Sequence, residues 1–143
     1  WDKCVDVNLK GVLYGIHACL PIMRKQKCGH IINTGSLSSH QTGLTCGVYA
    51  ATKFGVRAIS ETLREEEAAA HSNIRVTMLA PGMVDTELPQ SLTTQEGRDG
   101  MQAAYNALAI PAQSVAESIA FAINMPEHTS INEIIIRPTA QQL

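Results

Sequence analysis

Short apolar segments alternate with long helical segments along the whole chain, and this alternation most constrains what the chain can fold into. Apolar residues recur at helical spacing in the long segments, whereas the short segments are rich in β-branched residues. The predicted helices cover residues 2–26, 48–70 and 112–124, and the predicted strands cover residues 30–34, 74–79 and 132–137. Apolar strands separated by long helices indicate a parallel sheet with helices on both faces. The sequence therefore predicts an α/β fold.

Two polar stretches rich in turn-forming residues lie between these elements, and we expect both to be loops. Residues 35–47 are mostly Gly, Ser, Thr and His, and residues 85–100 are predicted to form a mobile surface loop. Five side chains in or near the second stretch could form the apolar wall of a substrate pocket: Met83, Leu88, Met101, Tyr105 and Leu108. We expect ordinary packing to account for at least half of these five.

Length and composition restrict the classes of protein that are compatible with the chain. It has 143 residues, 45% hydrophobic and 17% charged, which predicts one globular domain over residues 1–143. The net charge is −2 and no run of Lys or Arg occurs, so we expect no binding of nucleic acid. The uncharged stretch 11–23 is too short to cross a bilayer and contains Pro21, so we expect no membrane segment.

The cysteines and histidines are scattered singly, without a CxxC pair or the spacing of a zinc site. The cysteines are at positions 4, 19, 28 and 46. We expect free thiols in a reducing compartment, hence a cytoplasmic protein without a metal. A structural disulfide or a bound metal is the alternative.

Tyr49 and Lys53 lie four residues apart in the second predicted helix, which places both side chains on one face about a turn apart. A phenol normally keeps its proton until about pH 10. A nearby ammonium favours the phenolate and lowers that pKa. The pair could therefore be an acid/base catalyst for an alcohol or a carbonyl, although a solvated helix face can carry the same two residues by chance.

Three further features lie where a parallel sheet would bind its ligand, beyond the carboxyl ends of the strands. Ser36 follows the first predicted strand, and Pro81 and Gly82 follow the second. Asn8 lies within the first predicted helix, where asparagine is a poor helix former and its amide needs polar partners. An ordinary loop serine and a plain Pro-Gly turn are the alternatives for Ser36 and for Pro81 with Gly82.

Taken together, these residues resemble the short-chain dehydrogenase/reductase family. The matching motifs are Val7-Asn8, Ile31-Ile-Asn-Thr-Gly-Ser36, Tyr49-Ala-Ala-Thr-Lys53 and Pro81-Gly-Met-Val-Asp-Thr86, in the order and spacing of that family. The C-terminal sequence Asn132-Glu-Ile-Ile-Ile-Arg-Pro138 also looks like members of the family. The resemblance implies a Rossmann-like, doubly wound parallel sheet.

The resemblance also implies a role for each matching residue in hydride transfer between a nicotinamide cofactor and a small alcohol or carbonyl substrate. Tyr49 would exchange a proton with the substrate oxygen, and Ser36 would hold that oxygen. Lys53 would lower the pKa of Tyr49 and bind the nicotinamide ribose, and Asn8 would support a water-linked proton relay ending at Lys53. The nicotinamide end of the cofactor would meet Pro81, Gly82, Val84 and Thr86.

The chain also departs from the family pattern. Its Gly-rich turn, Thr-Gly-x-x-x-Gly-x-Gly, and its Asn-Asn-Ala-Gly motif are absent from these residues, so we expect the sheet to lack its N-terminal half. Because the residues near the adenine ribose normally select NAD or NADP, the cofactor could be either, and the C-terminal sequence favours NADP. The alternative function is a non-catalytic chain that serves as an oligomerisation scaffold without binding cofactor.

Small or apolar side chains lie on more than one side of the first two predicted helices. They include Leu13, Ala18, Ala51, Ala58 and Ala68, too many for a single stripe that faces a sheet. A second apolar face has to pack against something else. In the resembled family that partner is the same helix pair of another subunit, so the sequence predicts a homodimer or homotetramer.

Overall fold

The computed structural model describes residues 1–142, which form five α-helices and a three-stranded sheet. The helices are α1 (Asp2–Val5), α2 (Gly11–Gln26), α3 (Gly47–Ala69), α4 (Gln95–Leu108) and α5 (Ala112–Ile123). The strands are β1 (Gly29–Thr34), β2 (Ile74–Pro81) and β3 (Glu133–Ile136). Two short 3₁₀ turns cover Leu37–Ser39 and Leu88–Ser91. All three predicted strands and all three predicted long helices are confirmed, with ends that differ by one or two residues at most.

The three strands are parallel and lie in the order β1-β2-β3. Gly29 of β1 lies opposite Ile74 of β2, and Met78 of β2 lies opposite Glu133 of β3. In the central strand β2, every residue between Val76 and Ala80 is buried. A strand that is buried on both faces has no face in contact with solvent, which explains its nearly continuous apolar sequence.

Helices cover both faces of the sheet, so the fold is a Rossmann-like, doubly wound one, as predicted. On one face α2 and α3 enclose a core made of Ile31, Leu63, Val76, Ile16, Leu20 and Met23. On the opposite face the Arg75 guanidinium donates to the carbonyl oxygens of Ala122 at 3.2 Å and Met125 at 3.1 Å. Arg75 therefore satisfies carbonyl groups that the end of α5 would otherwise leave unpaired.

An ion pair between a half-exposed arginine and a buried glutamate joins α2 to α3 at the end of the sheet where β2 begins. Arg24 Nε lies 3.0 Å from Oε1 and 3.2 Å from Oε2 of Glu67, and its Nη2 also contacts Oε1. The Glu67 side chain is 0% exposed, whereas that of Arg24 is half exposed. Hydrogen bonding to Arg24 lowers the pKa of Glu67 in spite of burial, which opposes ionisation. Arg24 can therefore hold an ionised carboxylate inside the protein.

The first predicted helix is continuous over Asp2–Gln26 but contains a π-helical segment at Asp6–Lys10 between α1 and α2. Asn8 lies in the middle of that segment. π-Helical turns inside α-helices are frequent at functional sites. The helix ends at Gln26 because Lys27 adopts a left-handed conformation with φ 54°, and Gly29 begins β1.

The prediction of a mobile loop at residues 85–100 is wrong for its second half. Leu88–Ser91 forms a 3₁₀ turn, and α4 begins at Gln95. The Thr94 hydroxyl accepts a hydrogen bond from the Gly97 N–H at 3.2 Å and so caps the helix. Gln95 Nε2 donates to Asp99 Oδ1 at 2.7 Å on the exposed side. Polar residues with two glycines resemble a loop in sequence, but here they form the solvent side of a capped helix.

The described residues contain no helix that is both long enough and apolar enough to cross a bilayer. Within the same residues, no three His, Cys, Asp or Glu side chains are grouped so that they could hold a metal ion. The four cysteines are free thiols in the structure.

Candidate active site

The segment after β1 places Ser36 at the carboxyl end of the sheet in a defined conformation. The Gly35 N–H donates to the Leu79 carbonyl at 2.7 Å and extends the pairing of β1 with β2 by one residue. Ser36 then caps the 3₁₀ turn, because its Oγ accepts from the Ser38 N–H at 3.1 Å while its own N–H donates to Ser39 Oγ at 3.1 Å. Since Ser36 Oγ already accepts a backbone bond, its O–H remains free to donate.

Tyr49 and Lys53 lie in the first two turns of α3, beside this serine. Lys53 Nζ lies 5.7 Å from the centroid of the Tyr49 ring and donates to the Thr34 carbonyl at 3.0 Å. The Ser36 hydroxyl lies close enough to the Tyr49 phenol to lower the pKa of that phenol. The structure therefore brings Ser36, Tyr49 and Lys53 together at the ends of β1 and β2.

The electrostatics of this cluster differ from the sequence-based expectation. Burial raises the pKa of Tyr49 above its ordinary value, and the neighbouring Ser36 hydroxyl only partly opposes that rise. Burial also lowers the pKa of Lys53. A phenolate and an ammonium both lose hydration when they are buried, so each group shifts toward its neutral form. The net shift of the Tyr49 pKa is therefore upward, with burial as its largest cause, and the lowering of that pKa by Lys53 stays a prediction.

Asn8 has the polar partners that the sequence predicted, but Lys53 is not one of them within the described residues. Asn8 Nδ2 donates to Thr52 Oγ1 at 3.2 Å and lies 3.4 Å from Cys4 Sγ. Thr52 is 2% exposed, and its hydroxyl donates to the Tyr49 carbonyl at 2.7 Å. Sequence reasoning missed Thr52 and Cys4, although a hydroxyl residue next to Lys53 on the buried side of α3 was a usable signal.

Backbone hydrogen bonds hold the start of the segment after β2 in place. The Gly82 N–H donates to the Ile136 carbonyl at 2.7 Å, and the Met83 N–H donates to Gln141 Oε1 at 3.0 Å. A Cβ on Gly82 would collide with Gln141 Oε1, so a larger residue would displace the side chain that accepts from the Met83 N–H. Pro81 is the last residue of β2.

Further along the same segment, Val84 is buried and pairs with Ile110, which follows α4. The Ile110 N–H donates to the Met83 carbonyl at 3.1 Å, and the Asp85 N–H donates to the Ile110 carbonyl at 2.9 Å. Thr86 is exposed, and its hydroxyl accepts from the Leu88 N–H at 3.3 Å. This bridge ties the end of α4 to the segment that follows β2.

Of the five side chains proposed as a pocket wall, Tyr105 on α4 is coupled to the cluster. Burial and the charge of Tyr49 both raise the pKa of Tyr105, so the two phenols share one electrostatic neighbourhood. Leu88, in contrast, is 42% exposed. Tyr105 adds a hydroxyl, rather than another apolar surface, to the surroundings of Tyr49.

A family model described as "short chain dehydrogenase" matches residues 1–97, which include Asn8, Ser36, Tyr49, Lys53 and the segment after β2. The chain belongs to the short-chain dehydrogenase family. It is 50% identical to an uncharacterized oxidoreductase of Staphylococcus saprophyticus over 143 residues, which are 100% of this chain and 58% of the relative. It is 40% identical to an uncharacterized oxidoreductase of Listeria monocytogenes over 99% of this chain and 57% of the relative.

Solved structures of dehydrogenases have the same fold. Serine dehydrogenase from Escherichia coli superposes with a TM-score of 0.80 and 29% identity, covering 100% of this chain and 55% of that protein. The closed form of serine dehydrogenase complexed with NADP+ superposes with a TM-score of 0.84 and 31% identity, covering 97% of this chain and 56% of that protein. This short-chain dehydrogenase chain therefore spans a little more than half the length of the relatives that it matches.

Proposed function

We propose that the protein is an NAD(P)-dependent oxidoreductase that interconverts an alcohol and a carbonyl, with Tyr49 as the acid/base. The observation that carries this proposal is the grouping of Ser36, Tyr49 and Lys53 at the carboxyl ends of β1 and β2. Parallel sheets of this type bind their ligands at that edge. The residues 1–143 would then be the C-terminal part of one dinucleotide-binding domain.

The raised pKa of Tyr49 suits the reduction of a carbonyl. A phenol whose pKa lies above its ordinary value keeps its proton at neutral pH and can give it to the substrate oxygen as that oxygen gains charge. The O–H of Ser36 donates a hydrogen bond to the same oxygen and holds it beside Tyr49. In the oxidation of an alcohol the proton travels from the substrate oxygen to Tyr49.

The residues present fit a nicotinamide cofactor, whose part in the chemistry is to exchange a hydride with the substrate carbon. The bridge between Val84 and Ile110 uses the carbonyl of Met83 and the N–H of Asp85, the residues on either side of Val84. The N–H and C=O of Val84 itself make no hydrogen bond within residues 1–142 and point to the other side of the backbone. A donor and an acceptor so spaced suit the carboxamide of a nicotinamide, while Lys53 would donate to its ribose. Pro81, Gly82 and Thr86 would complete this end of the cofactor site.

The test uses the native full-length protein with NADP+ or NAD+, and the formation of NADPH or NADH is followed by absorbance. Serine and other small hydroxy acids are the first substrates to try, with secondary alcohols as a second set, because solved relatives include serine dehydrogenases and a protein complexed with NADP+. Tyr49→Phe removes only the phenolic oxygen and should lower kcat by about 10²- to 10⁴-fold while cofactor binding persists.

Tyr14→Phe is the matched control, because Tyr14 is 67% exposed on α2 and its hydroxyl should not affect turnover. Near wild-type turnover by Tyr49→Phe would show that Tyr49 is not the acid/base. A protein that binds neither NADPH nor NADH and turns over none of these substrates would instead support the scaffold alternative.

We also propose that the protein is a homodimer or homotetramer that pairs through α2 and α3. Leu13 is 44%, Tyr14 is 67% and Ile22 is 59% exposed on α2, and Phe54 is 38% exposed on α3. Ala58 is also exposed on α3. In a two-fold interface each contact occurs twice, so a charge added there acts twice.

Ala58→Glu should therefore dissociate the assembly, and light scattering at micromolar concentration measures the result. Ala103→Glu, which adds the same charge at an exposed position of α4, is the control for altered net charge. A wild-type protein that scatters as a monomer would contradict the proposal.

A further inference from the structure

The residues that follow β3 turn back to the segment after β2 and bond to it through one side chain. β3 ends at Ile136, whose carbonyl accepts from the Gly82 N–H at 2.7 Å and extends the pairing of β2 with β3 by one residue. The chain then turns, and the Gln141 N–H donates to the Pro138 carbonyl at 3.0 Å. Gln141 Oε1 thereby comes to 3.0 Å from the Met83 N–H. The Gln141 side chain takes the place of the strand partner that β3 no longer offers.

This bond holds the residue that directly precedes Val84. A backbone N–H can only donate, so the oxygen end of the Gln141 amide must accept from Met83. The Met83 carbonyl in turn accepts from the Ile110 N–H at 3.1 Å. Met83 is therefore bonded on one side to the residues after β3 and on the other side to the residue after α4.

Gly82 leaves room for this contact. It does not have a positive φ, so no left-handed backbone conformation requires a glycine at this position. A Cβ on Gly82 would instead collide with Gln141 Oε1 and would lie 3.0 Å from Arg137 Cβ. The missing side chain of Gly82 and the bond from Gln141 to Met83 are thus two parts of one arrangement.

We propose that Gln141 is a positioning residue that holds the segment Gly82–Thr86 in the conformation that binds the nicotinamide end of the cofactor. The inference rests on the proposed function, in which the N–H and C=O of Val84 bind the carboxamide. Binding groups that are ordered beforehand lose less conformational entropy when the ligand binds. Gln141 therefore raises the affinity for the cofactor through the Met83 backbone.

Hydrogen exchange in the native full-length protein, measured without added cofactor, is the first test. Gln141→Met keeps the length of the side chain and removes the acceptor. The Asp85 N–H, which donates to the Ile110 carbonyl at 2.9 Å, should then exchange about 3- to 10-fold faster, because one lost hydrogen bond between uncharged groups makes the segment open more often. Unchanged exchange at Asp85 would overturn the proposal.

Two further variants show whether the acceptor oxygen is the cause. Gln141→Glu keeps an oxygen acceptor but loses the NH₂ group, and Asp85 in this variant should exchange as in the wild type. Gln142→Met changes the exposed neighbouring residue in the same way as Gln141→Met, so it is the matched control and should leave the exchange unchanged. Fast exchange in Gln141→Glu or in Gln142→Met would contradict the role of the Gln141 oxygen.

Cofactor binding is the second readout, measured by fluorescence titration with NADPH and with NADH. Gln141→Met should raise the Kd of the cofactor that the wild type binds by about 3- to 10-fold. The kcat at saturating cofactor should change by less than about 2-fold, because the bond serves binding and not the chemical step. Gln141→Glu should restore most of the affinity. An unchanged Kd in Gln141→Met, or a fall in kcat without a change in Kd, would overturn the proposal.

Gly82→Ala tests the same contact from the other side. The added Cβ displaces Gln141 Oε1, so this variant should also weaken cofactor binding. In a Gln141→Ala background no side chain is displaced, and adding Gly82→Ala should cause a smaller loss than it does in the wild type. An equal loss in both backgrounds would overturn the proposal, because Gly82 would then act independently of Gln141. Thermal unfolding of each variant shows whether it is folded, and this cycle decides the question if Gln141→Met is not.

The titrations also separate this inference from the proposed function. If the wild type binds neither NADPH nor NADH, the proposed function itself fails, whatever Gln141 does. If the wild type binds one of them and Gln141→Met binds it equally well, only the role of Gln141 fails.

Discussion

The buried ionisable groups at the two ends of α3 have pKa values that shift in opposite senses, toward the neutral form at one end and toward the charged form at the other. At its first turns, burial raises the pKa of Tyr49 and lowers the pKa of Lys53, so both groups shift toward their neutral forms. At its last turns, Glu67 is buried more completely, yet hydrogen bonding to Arg24 lowers its pKa and stabilises the charged form. Burial opposes charge at both ends. The outcome depends on whether an oppositely charged group lies within hydrogen-bonding distance.

This difference separates a site that can react from a pair that stabilises the fold. Glu67 and Arg24 are hydrogen-bonded to each other, and the shifts of their pKa values favour the charged form of each near neutral pH. Tyr49 and Lys53 are not hydrogen-bonded to each other, and Lys53 Nζ donates to the Thr34 carbonyl. Groups whose pKa values are shifted by burial are common at catalytic sites.

The largest expected effect is at the reactive end, where Lys53→Ala removes the ammonium beside Tyr49. We expect kcat/KM to fall by about 100-fold or more, with a weaker affinity for NADPH, because in the proposed function Lys53 serves both the ribose and the phenol. Oxidation of an alcohol requires the phenolate. Without the cation the pKa of Tyr49 rises further, so the rising limb of the pH profile for oxidation should move to higher pH.

Steady-state kinetics across pH measure both effects of Lys53→Ala. Lys10→Ala is the control, because Lys10 is exposed and pairs with Asp6 one turn away. An unchanged pH profile at saturating cofactor would remove Lys53 from the mechanism.

At the stabilising end, Arg24→Met leaves the Glu67 carboxylate buried without its partner. A buried charge that loses its partner is strongly destabilising, and we expect the Tm to fall by about 5 °C or more. Combining Arg24→Met with Glu67→Leu removes both charges and should recover most of the loss. Calorimetry measures the Tm, and a double variant as unstable as Arg24→Met would contradict the explanation.

Arg64→Met is the matched control for this pair, because Arg64 contacts Glu61 on the exposed surface of the same helix. Exposed ion pairs contribute little to stability, so the Tm of Arg64→Met should change by no more than about 2 °C.

The smallest effect is the pH dependence of stability that Glu67 causes. Its folded pKa is below its ordinary value of 4.5, so ionised Glu67 stabilises the folded state above that pH. The stabilisation is lost as the pH falls below 4.5 and through the folded pKa. The Tm difference between wild type and Glu67→Gln should be constant near neutral pH and diminish in acid, and a difference independent of pH would contradict this assignment.

Much of the fold and half of the candidate site follow from local sequence. Helical periodicity and β-branched segments predicted β1, β2, β3 and the long helices, because each pattern directly reflects which face of an element is buried. The spacing of Tyr49 and Lys53 predicted their common face, because residues four apart on a helix lie one above the other. Helix α4 was missed, because its apolar side is narrow and its two glycines are typical of loops.

The sequence by itself therefore determined the parallel α/β architecture and the placing of Ser36, Tyr49 and Lys53 at one edge of the sheet. Only the tertiary structure decided the partners of Asn8 and of Glu67, which are 44 and 43 residues away in sequence. It also decided the direction in which the pKa of Tyr49 shifts. Short-range patterns depend on backbone geometry, which every chain shares, whereas burial and distant contacts depend on how the helices pack in this particular fold.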